Sequence, residues 1–118
     1  MRIAIVGSRS IEINDIKSFL ENTEIEEIIS GGAKGVDSCA KRYAEENAIK
    51  YTEILLDYKK YGRAAPIVRN RVMLEISDTV FVFWDGISKG TESVIRYCRK
   101  LKKPHRIFCF SKNSETVL

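Results

Sequence analysis

The stretch Glu26-Glu27-Ile28-Ile29-Ser30-Gly31-Gly32-Ala33-Lys34-Gly35-Val36-Asp37-Ser38-Cys39-Ala40-Lys41-Arg42-Tyr43-Ala44 decides the fold. Its first five residues centre on Ile28 and Ile29 and read as a short strand. Five residues rich in glycine interrupt it. Val36, Cys39, Ala40, Tyr43 and Ala44 then fall at i, i+3, i+4, i+7 and i+8, the apolar face of a helix, while Glu45, Glu46 and Lys50 stay outside. A strand that runs through a glycine turn into a helix is the repeating unit of a parallel α/β fold.

The same unit recurs on either side. Ile3-Ala4-Ile5-Val6 is wholly apolar, as expected of a strand covered on both faces. Gly7-Ser8-Arg9-Ser10 follows, and then Ile13, Ile16, Phe19 and Leu20 share one helical face. Downstream, residues 51–56 read as a third strand and residues 57–63 as a polar loop bearing Tyr58 and Tyr61. Pro66 suits the first turn of a helix whose apolar stripe is Val68, Val72 and Ile76. Residues 80–84 form a fourth buried strand and residues 85–89 a loop. Gly90 or Thr91 opens a helix with Val94, Ile95, Cys98 and Leu101 inward, and residues 107–110 are the last strand. The expected architecture is one Rossmann-like domain over residues 1–111, followed by a polar tail at 112–118. Right-handed crossovers favour a doubly wound parallel sheet of about five strands in the order 3-2-1-4-5, with helices on both faces.

Composition bounds the function. The 118 residues fit a single domain. No apolar run approaches the roughly 20 residues that span a membrane, and the first strand leads straight into polar residues rather than a signal peptide. A cytoplasmic protein is expected. Cys39, Cys98 and Cys109 contain no CxxC pair, and His105 is the single histidine, so the thiols read as core or near-core groups, with no metal and no cofactor expected. The net charge of +4 is local. Arg96, Arg99, Lys100, Lys102, Lys103 and Arg106 follow one another with no acid between them, which fits a helix C-terminus whose cations offset the dipole.

In an open α/β sheet, ligands bind beyond the carboxyl ends of the strands. Four segments lie there: 7–10, 31–35, 57–63 and 85–90. All seven glycines fall within them. Such turns let the backbone approach a ligand, and the helices they open present free N–H groups and a positive dipole end to an anion. Ser8, Ser88 and Thr91 add hydroxyls; Arg9, Lys34 and Lys89 add charge. Arg69 and Asn70 lie about one turn after Pro66, where an arginine can fork onto a phosphate. The candidate nucleotide-binding set is therefore Gly7, Ser8, Arg9, Gly31, Gly32, Lys34, Gly35, Asp37, Arg69, Asn70, Asp85, Gly86, Ser88, Lys89, Gly90 and Thr91. The turns match neither GxGxxG nor GxxxxGK[ST], which argues against a standard NAD dehydrogenase or P-loop NTPase.

Three segments together resemble a known family. Residues 30–37 (SGGAKGVD) resemble its SGGAxGxD turn. Gly62-Arg63-Ala64-Ala65-Pro66, with Arg69-Asn70-Arg71 and Met73, resembles its GRxAxxxRNxxM segment. Residues 83–91 (FWDGISKGT) resemble its WDGxSxGT loop, and Gly7-Ser8-Arg9 stands after the first strand as in that family. The family is the SLOG superfamily, in its YspA/YpsA-related branch. The resemblance spans nearly the whole chain. It implies a Rossmann-like fold, nucleotide- or NAD/ADP-ribose-derived ligands, and frequent homo-oligomers. Relatives include the LOG phosphoribohydrolases and the single-stranded-DNA-binding factor DprA. One departure stands out. Where LOG enzymes carry the glutamate of PGGxGTxxE, this chain has Val94, and Glu92 stands two residues early.

Three functions follow as expectations. The first is a sensor or sequestering protein that binds such a ligand unchanged. The second is a nucleotide N-glycosidase in which Arg69 holds the phosphate and Glu92 or Asp37 supplies the acid or base. The third is single-stranded nucleic-acid binding through residues 96–106, where Tyr97 is the one aromatic interleaved with the cations. Tyr58, Tyr61 and Trp84 are candidates to cap a base or meet another subunit, with core packing the simpler role for Trp84.

Overall fold

Apolar side chains on both sides of each central strand force a layer of helices onto both faces of the sheet. In the computed structural model, which describes residues 1–11, 13, 15–32 and 35–110, five parallel strands alternate with helices. They are β1 (Arg2–Gly7), β2 (Glu27–Ser30), β3 (Lys50–Glu53), β4 (Thr79–Trp84) and β5 (His105–Cys109). The helices are α1 (Lys17–Leu20), α2 (Val36–Glu46), α3 (Tyr58–Tyr61), α4 (Ala65–Ile76) and α5 (Lys89–Leu101), with a 3-10 turn at Gly62–Ala64 before α4. The sheet order is β3-β2-β1-β4-β5, the doubly wound order expected from the sequence. No helix among the described residues is long and apolar enough to cross a membrane.

Strand side chains alternate between faces. Ile3, Ile5, Ile28, Phe81, Phe83 and Phe108 bury against Leu20 of α1 and Val36, Ala40 and Ala44 of α2. Ala4, Ile29, Val80 and Val82 bury against Met73 and Leu74 of α4 and Val94, Ile95 and Cys98 of α5. Phe19 meets Phe83 and Phe108 edge-on, at centroid distances of 5.4 and 4.9 Å. Each fully buried side chain of this size contributes roughly 1.5–3 kcal/mol, so both faces are needed to hold the sheet.

Several local expectations are corrected. The third strand ends at Glu53 rather than residue 56, because its neighbour among the described strands, β2, gives way to the Gly31-Gly32 turn; beyond it Ile54 N–H donates to the Ser30 carbonyl at 2.9 Å. Leu55 beyond it is 71% exposed. The loop expected at 57–63 contains the single-turn α3, which forms because Asp57 accepts the Lys60 N–H at 3.0 Å as an N-cap. On α4 the buried residues are Ala65, Met73 and Leu74, while Val68, Val72 and Ile76 are half-buried. Leu101 is exposed rather than inward: α5 stops there in a left-handed turn at Lys102, and Cys98 is its last buried residue. The first helix keeps one turn, yet Ile13 and Ile16 still reach the core from outside it. The polar tail at 112–118 and Lys34 lie outside the described residues.

Candidate functional site

The strand order reverses between β1 and β4: the chain leaves β1 toward β2 on one side and returns through α4 to β4 on the other. The turns after these two strands diverge and leave a crevice, the usual ligand position in a doubly wound sheet. A cavity of about 630 Å³ opens there. Gly7, Ser8, Arg9, Gly31, Gly32, Asp37, Arg69, Asn70, Asp85, Ser88, Gly90 and Thr91 all line it. Twelve candidate residues from five separate segments thus share one space. Ser10, Leu56, Pro66, Met73 and Val94 also line it and were not among the candidates. Ser10 was legible as a second hydroxyl in the first turn; the apolar wall was not, since nothing local marks Leu56 or Pro66 as facing a cavity.

Four candidates lie elsewhere. Gly35 caps α2, where a Cβ would stand 2.8 Å from the Ile11 carbonyl oxygen. Gly86 sits at the tip of the β4–α5 turn beside Cys109. The Lys89 side chain is 92% exposed and 4.0 Å from Glu92. Glu92 faces along the outside of α5, where it also binds Arg96 at 2.6 Å. Of the three catalytic candidates, Asp37 and the phosphate-holding candidate Arg69 line the cavity and Glu92 does not.

Arg69 spans the site. Its Nη1 donates to the Gly31 carbonyl at 3.3 Å and its Nε donates to Asn70 Oδ1 at 3.1 Å. These bonds use two of the five N–H donors of the guanidinium, and neither is on Nη2, so further donors are left for a ligand. Burial draws the Arg69 pKa down; Asp37 and Tyr58 push back, and Arg9 adds to the fall. Arginine stays cationic through such shifts. Arg69 thus feels the negative charge of Asp37, which is buried in the first turn of α2, and the positive charge of Arg9.

Asp85 organises the opposite wall. Its Oδ1 accepts the N–H groups of Ile87 (3.0 Å) and Ser88 (2.7 Å), and its Oδ2 accepts the hydroxyls of Ser88 (2.5 Å) and Ser10 (2.8 Å). Partial burial pushes its carboxyl pKa up, but these hydrogen bonds outweigh that and hold it well below the ordinary carboxylate range. The carboxylate stays ionised, but its oxygens are occupied by the loop, and it shares this wall of the cavity with Ser88, Gly90 and Thr91 at the start of α5. The buried hydroxyls of Ser8 and Thr91 pair at 3.2 Å, and Ser8 Oγ accepts the Asp85 N–H at 3.3 Å. Two loops 75 residues or more apart are locked together. Trp84 extends the lock, its indole N–H donating to the Ser88 carbonyl at 3.1 Å.

This network makes a pH prediction. Asp85 has a folded pKa below its unfolded one, so its contribution is fully present above the unfolded value of about 4 and is lost as pH falls toward the folded value. Wild type is expected to melt above Asp85→Asn by roughly 4 °C near pH 7. The gap should close below about pH 4. A gap that stays constant down to pH 2.5 or so would remove Asp85 as the organiser of this loop.

Comparison with protein-family models, with curated proteins and with solved structures gave no match.

Proposed function

We propose that the chain binds a nucleotide or an NAD- or ADP-ribose-derived small molecule, and acts by sensing or sequestering it. One observation carries this reading: a 630 Å³ cavity at the strand-order reversal, bounded by the first turn of α5 and by Arg9 and Arg69. Its volume falls in the range of ordinary ligand sites. The helix terminus supplies N–H donors to an anion, and the dipole favours a negative charge there. The apolar wall of Leu56, Pro66 and Met73 suits the uncharged part of such a molecule. The resemblance noted above points to the same ligand class.

Cleavage of an N-glycosidic bond is the second reading. It has Asp37 in its favour, a carboxylate on the cavity wall next to the phosphate-holding Arg69. One experiment separates the two. The gently purified protein is denatured and its bound small molecules are identified by mass spectrometry; AMP, ADP-ribose and NAD are then titrated by calorimetry. The binding reading expects micromolar affinity for at least one of these and recovery of that compound intact. Release of free base in stoichiometric or greater amount replaces it with the hydrolase reading. Absence of both binding and turnover overturns the assignment of the cavity.

A further inference from the structure

A second cavity of about 240 Å³ lies in the groove between α4 and α5, on the same face of the sheet. Asn70 and Val94 line both cavities, so the two adjoin across the width of one side chain. The charged groups of the groove are all cations: Arg71, Arg96 and Lys100, with no acid among the lining residues. Arg96 is paired with Glu92 at 2.6 Å. Arg71 and Lys100 take part in no ion pair among the described residues. Arg71 instead lies over the Tyr97 ring, 5.4 Å from its centroid, which fixes the guanidinium plane at the groove wall. The floor is Leu74 and Val94, both buried.

The three cations thus line one groove over an apolar floor, and two of them have no acidic partner among the described residues. A diffuse helix face would spread them or interleave acids, as Glu92 does for Arg96. An anion placed between Arg71 and Lys100 gains charge-assisted hydrogen bonds from both.

We infer that this groove is a second anion subsite, so that the ligand carries two separate phosphate-like groups, one for each cavity. The inference rests on the reading of the larger cavity as a nucleotide site and narrows its ligand class from nucleotide-derived molecules in general to those with two separated phosphate-like groups. The ligand passes over Asn70, whose side-chain carbonyl is already held by Arg69. Asn70 thereby links the two subsites as well as separating them.

The test uses the intact chain and two probes, AMP and the 5′-phosphorylated diadenylate pApA, titrated by calorimetry at low salt. Both Arg71 and Lys100 are exposed, so their replacement leaves the core untouched. Wild type is expected to bind pApA at least about tenfold tighter than AMP. Arg71→Ala combined with Lys100→Ala should abolish that advantage and leave AMP affinity within about twofold. Arg69→Ala should weaken both probes. Equal affinity for the two probes in wild type, or equal loss of both in the double variant, overturns the second subsite. AMP that fails to bind, or that binds regardless of Arg69, overturns the reading of the larger cavity instead, and the second subsite falls with it.

Discussion

Arg69→Ala is expected to weaken AMP binding by about 10- to 100-fold, since a hydrogen bond to a charged group contributes roughly 1.5–3 kcal/mol. The estimate follows from how the side chain is held. A free arginine loses rotamer entropy when it captures a phosphate. Arg69 has already paid most of it, because the Gly31 carbonyl and Asn70 Oδ1 fix two of its nitrogens before any ligand arrives. Burial raises the strength of whatever its remaining donors contact. Arg69→Lys retains the charge but not the fork, and should recover less than half of the lost free energy. The cost to the unliganded fold is small, about 1 kcal/mol for one lost hydrogen bond to a backbone carbonyl. Calorimetry on the two variants, with melting curves as the control for folding, checks both numbers. An affinity unchanged within about twofold would show that Arg69 is a structural tie between β2 and α4 and not a ligand contact.

What was legible in the sequence was whatever neighbouring residues decide among themselves. The apolar runs around Ile5, Ile28 and Phe81 alternate between two buried faces, and a strand buried on both faces has few places to go except the middle of a doubly wound sheet. Collecting every glycine turn on one rim followed from that order. What stayed hidden depends on contacts between distant segments. Ser8 and Thr91 read as two ligand donors, yet they sit 83 residues apart in sequence and hydrogen-bond to each other. Asp85 read as a ligand group, and it is the acceptor that gathers Ser10, Ile87 and Ser88. Glu92 and Asp37 looked alike as acids in the first turn of a helix. The helices present them differently: Asp37 inward beside Arg69, Glu92 outward to Arg96. The end of β3 was set by its partner strand rather than by its own residues, so local β propensity overran it by three residues.

Gly7→Ala is expected to destabilise the fold by about 1–3 kcal/mol, the usual range for overpacking a filled interior. The melting temperature should fall by roughly 10 °C. A Cβ at Gly7 would stand 2.5 Å from Val36 Cβ and Cγ2 and 2.9 Å from its Cγ1. Val36 is fully buried at the start of α2 and β-branched, so it has little rotamer freedom with which to step aside. The helix must therefore lift off β1, and with it Asp37, one residue further on. Gly31→Ala makes an instructive contrast. Its Cβ would stand equally close, 2.5 Å, but to Arg69 Nη1, the far end of a flexible chain. That side chain can swing away at little cost in stability, and in doing so it leaves the position from which it would grip a phosphate. The two alanines should separate cleanly: Gly7→Ala lowers the melting temperature, whereas Gly31→Ala lowers AMP affinity with a nearly unchanged melt. Adding Arg69→Ala to Gly31→Ala should then cost little more binding than either change alone, because both remove the same contact. Full additivity of the two binding losses would mean that the close approach of Gly31 to Arg69 serves packing alone, and that the ligand touches each of them independently.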